Sequence, residues 1–152
     1  MRYSADGRFL ISGCSDGLVK LWDAGTFEEK LSIQAHPGAV KDLAFAPDMA
    51  RFASAGLDGT VRVWDTATGD PIKTLSGHTG AALGVAFSPD GKRIGMVTRD
   101  GDVVIHLTDT FAEVARYNWN VGPLHGIAFA PDGLTAAVGA TRGQVVIWDL
   151  DP

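Results

Sequence analysis

The sequence predicts an all-β fold built from about four repeats of a four-stranded unit within 152 residues. Three observations carry this. At an offset of 42 residues, Asp16-Gly17, Asp58-Gly59, Asp100-Gly101 and Arg142-Gly143 fall into one column, and Trp22, Trp64, His106 and Trp148 into the next. A third column, Ala5-Asp6-Gly7, Pro47-Asp48, Pro89-Asp90-Gly91 and Pro131-Asp132-Gly133, follows an aromatic each time: Tyr3, Phe45, Phe87 and Phe129. Between these turns lie short alternating apolar runs such as Val61-Arg62-Val63-Trp64, whose period of two belongs to strands. A fixed period of this length marks an architecture in which each unit buries its face against the next.

Taken in order, the units span about 1–35, 36–77, 78–119 and 120–152. In the first, Met1 shares a column with Leu43, Val85 and Ile127, so the chain is expected to begin inside an innermost strand. The second is expected to place strands near 39–46, 51–56, 60–65 and 71–75, joined by Pro-Asp, Asp-Gly and Thr-Gly turns whose residues supply the backbone angles required. The third repeats this pattern, and the fourth stops after its third strand. No helical pattern is present.

The residues that recur resemble the WD-repeat β-propeller family: Ala35-His36 and Gly77-His78 before a strand, Phe87-Ser88-Pro89-Asp90-Gly91 after it, Ser54 followed by Asp58-Gly59, then Val61-Arg62-Val63-Trp64-Asp65. The likeness spans essentially the whole chain, and that family's period of ~40–45 residues forms one four-stranded blade. WD propellers usually close with about seven blades, so the resemblance implies part of a ring. It also implies that a histidine, a serine or threonine, an aspartate and the tryptophan form a hydrogen-bonded chain in each blade. Matched residue by residue, the second blade has all four as His36, Ser54, Asp58 and Trp64. The first keeps Ser12, Asp16 and Trp22. The third keeps His78 and Asp100 but has Met96 and His106 in the serine and tryptophan columns; the fourth has Asn120, Val138 and Arg142 and keeps Trp148. A buried polar network is stable when complete and costly when partly satisfied. Loss of the serine therefore accounts for loss of the tryptophan at position 106, and the third blade is expected to rely mainly on apolar packing.

Composition excludes several functions. The net charge is −5, and the 13 Lys and Arg are scattered, which argues against a nucleic-acid surface. No apolar run reaches the ~18 residues of a membrane span and no basic-then-apolar leader precedes the first strand, so a soluble, cytoplasmic protein is expected. The single Cys14 can form no internal disulfide. Gly13-Cys14-Ser15-Asp16-Gly17 matches the hydrolase elbow Gly-x-Ser-x-Gly, but that motif needs a strand-to-helix turn, whereas here it joins two strands. No His, Cys and carboxylate spacing suggests a metal, and no cofactor is expected.

What remains is a binding surface. By resemblance, the contact positions are the one before the turn aspartate (Ser15, Leu57, Arg99, Thr141) and the one five after the histidine (Lys41, Leu83, His125). Leu57 and Leu83 are expected to be exposed beside Lys41 and Arg99, a mixture suited to a protein or peptide partner. The reading is therefore a non-catalytic scaffold. The alternative is a regulatory or sensor propeller belonging to a larger signalling enzyme (a kinase or signalling ATPase), because Ala128-Phe129-Ala130-Pro131-Asp132-Gly133 and Val63-Trp64-Asp65-Thr66-Ala67-Thr68-Gly69 resemble bacterial WD-repeat proteins. An enzymatic propeller comes third. Incomplete outer blades are expected to drive self-association.

Overall fold

The computed structural model describes residues 1–77 and 79–150. Among the described residues, fifteen strands form four antiparallel sheets, each a meander that follows chain order. The first sheet holds β1 (Arg2–Tyr3), β2 (Phe9–Gly13), β3 (Leu18–Asp23) and β4 (Glu29–Gln34). The second holds β5 (Val40–Phe45), β6 (Arg51–Gly56), β7 (Val61–Asp65) and β8 (Pro71–Leu75), each within a residue of the expected bounds. The third holds β9 (Ala82–Phe87), β10 (Arg93–Thr98), β11 (Asp102–Leu107) and β12 (Glu113–Asn118). The fourth has three strands among the described residues: β13 (Leu124–Phe129), β14 (Thr135–Ala140) and β15 (Val145–Asp149).

The turns form for local reasons. Asp6, Asp48, Asp90 and Asp132 each accept the backbone N–H two residues on, at 3.0, 3.0, 3.0 and 2.9 Å. A short acidic side chain thereby replaces the missing backbone partner of a tight turn. One departure from the all-strand expectation is a single 3-10 turn over Thr141–Gly143, where Arg142 takes φ 75°. Its counterparts Asp16 and Asp58 accept the N–H of Leu18 and Thr60, both at 3.1 Å, which Arg142 cannot do.

Because strand side chains alternate between faces, each inner sheet has a front face towards the preceding sheet and a rear face towards the next. Rear residues Ile11, Val19 and Leu21 of the first sheet meet front residues Leu43, Phe52 and Trp64 of the second. Rear residues Ala53, Ala55, Val61 and Val63 meet Val85, Ile94, Met96 and Val104, and Val97, Val103 and Ile105 meet Leu124 and Val138. Burying one such large side chain is worth about 1.5–3 kcal/mol, so these three apolar junctions hold the sheets in register.

Innermost strands β1, β5, β9 and β13 lie side by side across the junctions. Asp42 on β5 ties three of them. It accepts from Arg2 Nη2 at 3.1 Å and from the Val85 N–H at 3.2 Å.

Candidate functional site

The second sheet contains a continuous hydrogen-bonded chain. Trp64 Nε1 donates to Ser54 Oγ at 3.0 Å, Ser54 Oγ lies 2.8 Å from His36 Nε2, and His36 Nδ1 lies 3.0 Å from Asp58 Oδ1. The directions follow from the groups. An indole can only donate, so the Ser54 proton is free to reach Nε2, leaving Nδ1–H to donate to the carboxylate. His36, Ser54 and Trp64 are buried, so a chain with every polar group satisfied is the arrangement that costs least. Burial works against the charge of Asp58. Hydrogen bonds from His36 and from the Thr60 amide and hydroxyl outweigh it and hold the carboxyl below its ordinary value near 3.8.

The other sheets hold less of this chain. In the first, Trp22 Nε1 donates to Ser12 Oγ at 2.9 Å, while Asp16 is drawn below its ordinary value chiefly by the Leu18 N–H. His78 lies outside the described residues. Met96 and His106 are buried in the third sheet, where His106 lies between Ile94 and Glu113 of the neighbouring strands. In the fourth, Val138 leaves Trp148 Nε1 buried with no hydrogen-bond partner. Aromatic packing takes over there. Trp119 stacks on Tyr117 at 5.4 Å between ring centroids and tilts against Trp148 at 5.0 Å. Contacts of this kind are worth about 0.5–1.5 kcal/mol beyond burial.

Burial holds His106 below its ordinary value near 6.5, with Glu113 opposing this shift and Arg116 reinforcing it. The folded state thus keeps the ring neutral while the unfolded chain binds a proton below about pH 6.5. The stability due to the neutral ring is present above 6.5 and is lost as pH falls through the window between the unfolded and folded values. Comparing urea midpoints at pH 7 and pH 5 checks this: the drop on acidification should be smaller in His106→Phe than in the unsubstituted chain. An equal drop would remove His106 as its source.

The candidate contact positions occupy one end of the sheets. Leu57, Arg99 and Thr141 donate their backbone N–H to Ala39, Ala81 and Pro123, at 3.0, 2.9 and 3.0 Å, just ahead of β5, β9 and β13. Across from them, Lys41, Leu83 and His125 are each the extra residue where strand pairing shifts, between Val40 and Asp42, Ala82 and Gly84, and Leu124 and Gly126. Such a bulge re-aims the side chain at the strand mouth. The structure thus pairs Lys41 with Leu57, Leu83 with Arg99 and His125 with Thr141 within successive sheets. The last pair touches: His125 Nε2 lies 3.0 Å from Thr141 Oγ1, whose own hydroxyl donates to the Pro123 carbonyl at 3.2 Å. Ser15 is exposed on the corresponding turn of the first sheet.

Leu83 corrects the expectation of two exposed leucines. Leu57 is 42% exposed, but Leu83 is 8% exposed. The bulge sets it among the buried residues of β9, between Ala82 and Gly84, so it forms floor beneath the face instead of contact on it. Lys41, Arg99, His125 and Thr141 are exposed.

Two features escape the sequence pattern. Gln34, at the end of β4, donates to the carbonyls of Asp16 and His36 at 2.8 and 2.9 Å, stapling a turn of the first sheet to the start of the second. Asp42 stands where β9 and β13 have Gly84 and Gly126, and that mismatch is its one sequence signal. Among the described residues, no group of three or more His, Cys, Asp and Glu is placed to hold a metal ion, and no helix is long and apolar enough to cross a membrane.

Meander sheets stacked at a fixed period, one of them threaded by a Trp-Ser-His-Asp chain, define a blade-built repeat protein. The chain belongs to the WD40 repeat family: the family model described as WD domain, G-beta repeat matches residues 1–23, 27–65 and 69–106, about two thirds of the sequence. It is similar to DDB1- and CUL4-associated factor 13 of Dictyostelium discoideum, 42% identical over 45 residues, which is 30% of this chain and 10% of that protein. Polyadenylation factor subunit 2 of Candida albicans is 38% identical over 56 residues, 37% of this chain and 10% of the relative. WD repeat and SOCS box-containing protein 1 of Xenopus tropicalis is 38% identical over 47 residues, 31% of this chain and 11% of the relative. The matched stretch spans about a tenth of the length of each of these relatives.

Proposed function

We propose that the chain is a non-catalytic scaffold that binds a protein or peptide partner through the loop face carrying Ser15, Lys41, Leu57, Arg99, His125 and Thr141. The observation that carries this reading is the half-exposed Leu57 at the same end of the sheets as exposed Lys41 and Arg99, since binding residues concentrate on loops held by rigid elements. Apolar contact at Leu57 with a charge-assisted pair from Arg99 suits an acidic or phosphorylated segment. Two of the histidines are engaged in structural contacts: His36 belongs to the hydrogen-bonded chain of the second sheet, and His125 faces Thr141. The relatives' names also favour this reading, one being an associated factor and another a protein built from WD repeats and a SOCS box.

A partner recovered with this chain as bait tests it. Leu57→Asp with Arg99→Glu should weaken binding at least about tenfold, the equivalent of 1.4 kcal/mol, while Lys92→Glu at the opposite end should not. The reverse pattern would move the site to the Pro-Asp turns. The second reading, a regulatory propeller in a larger signalling enzyme of bacterial type, is favoured by the motifs at 128–133 and 63–69; the genomic sequence upstream of Met1 decides it.

A further inference from the structure

We propose that the cleft between the first and second sheets, at the end opposite Leu57, binds a small apolar carboxylate. Its volume is about 630 Å³, within the range of sites for small organic ligands. Phe9, Leu21 and Leu31 of the first sheet line one wall, and the Met49-Ala50 turn with Thr66 of the second lines the other. The cleft is open because two residues of the repeat differ there. At the next junction, Arg51 reaches across to donate to the Thr108 carbonyl at 3.0 Å, and Phe111 packs on the apolar residues between the sheets. One period earlier, Phe9 stands in place of Arg51 and Gly69 in place of Phe111. A Cβ on Gly69 would lie 3.2 Å from Ile33 Cδ1 and 3.5 Å from Leu31 Cδ1, so the glycine leaves bare the wall that a larger side chain would cover. A hydrogen bond differs too. Thr108 donates its hydroxyl to the Gly91 carbonyl at 2.6 Å, whereas the hydroxyl of its counterpart Thr66, a residue 7% exposed, is buried with no partner. A buried polar group left unpaired is costly, and an occupant of the cleft would complete it.

Charge selects the occupant. Exposed Arg8 and Lys30 stand at the rim of the cleft, the Arg8 guanidinium 5.5 Å over the ring of Phe9. Arg8 meets Asp6 only at 4.0 Å and Lys30 meets Glu28 at 3.5 Å, and exposed pairs of this kind contribute little and exchange readily. Asp23 and Asp65 also border the cleft, but each is engaged in its own turn. Asp23 Oδ1 accepts the N–H groups of Gly25 and Thr26 at 2.9 and 3.0 Å, and Asp65 Oδ1 those of Ala67 and Thr68, both at 2.9 Å. A carboxylate in the cleft thus finds two cationic donors and the uncommitted Thr66 hydroxyl, which turns its proton to suit an acceptor. Its apolar body finds Leu21, Leu31 and Phe9.

Amide NMR spectra of the 152-residue chain, titrated with 3-phenylpropanoate, test this. The amides of Ala50, Thr66, Ala67 and Gly69 should shift to saturation, and 3-phenylpropylamine, the same body with the opposite charge, should bind at least about tenfold more weakly. Gly69→Phe should abolish the shifts by filling the cleft. Phe27 and Phe111 hold φ 61° and 57° in the same turn, so the backbone accepts a phenylalanine there. Thr66→Val, which keeps the shape and removes the hydroxyl, should weaken binding severalfold. Arg8→Glu with Lys30→Glu, both on the surface, should abolish it, and this pair replaces Gly69→Phe if the spectrum shows that variant to be unfolded. Absence of saturable shifts, shifts confined to other residues, or equal affinity for the amine would overturn the proposal. Carboxylate binding that survives a folded Gly69→Phe or the double charge reversal would overturn it equally.

Discussion

Ser54→Ala should lower the stability of the chain by about 2–5 kcal/mol, because one hydroxyl serves two buried groups. Its oxygen accepts the Trp64 N–H and its proton reaches His36 Nε2. Without it both are left unpaired at sites that are 4% and 1% exposed, and each buried orphan costs about 1–3 kcal/mol. The same change at Ser12 removes a bond to Trp22 of similar length. Trp22 is only half-buried, so water can replace the hydroxyl, and the loss there should stay below about 1 kcal/mol. Urea denaturation of the two variants measures the difference. Equal midpoints would mean that completeness of the chain in the second sheet is not what stabilises it.

Gly17→Ala should cost about 2–4 kcal/mol, for a reason that combines backbone and packing. Gly17 has φ 88°, where any other residue loses about 1 kcal/mol. The new methyl would also collide with the His36 carbonyl and lie 2.8 Å from Gln34 Nε2, and overpacking of this kind costs about 1–3 kcal/mol more. The Gly17 carbonyl also receives the N–H groups of Ala35 and His36, so any relief of the clash pulls apart the first junction. Gly7→Ala is the control. Its φ is 70° but nothing lies within 4 Å of the added carbon, so its loss should be the backbone share alone. Matching losses in the two variants would remove the packing contribution.

The architecture was legible because its causes are local. Period-two runs and Asp-Gly and Pro-Asp turns repeat in phase, so β6, at Arg51–Gly56, could be bounded to the residue from the sequence. The candidate face was legible less completely. Leu57 and Arg99 could be placed on turns from the spacing alone, but the exposure of Leu83 depends on a bulge, and a bulge depends on how β9 registers against β10. Asp42 acts across two junctions, and the repeat pattern describes one sheet at a time. The stacking of Tyr117, Trp119 and Trp148 was hidden for the same reason, since the three rings come from β12, the segment that follows it, and β15.

The scaffold reading rests on where a partner sits, and hydrogen–deuterium exchange of the partner complex against the free protein measures that directly. The reading predicts slowed exchange in the segments around 13–17, 39–42, 56–59, 98–101 and 140–143, at the end of the sheets that carries Leu57 and Arg99, with the turns at 47–50, 89–92 and 131–134 unchanged. Protection confined to those Pro-Asp turns would contradict it.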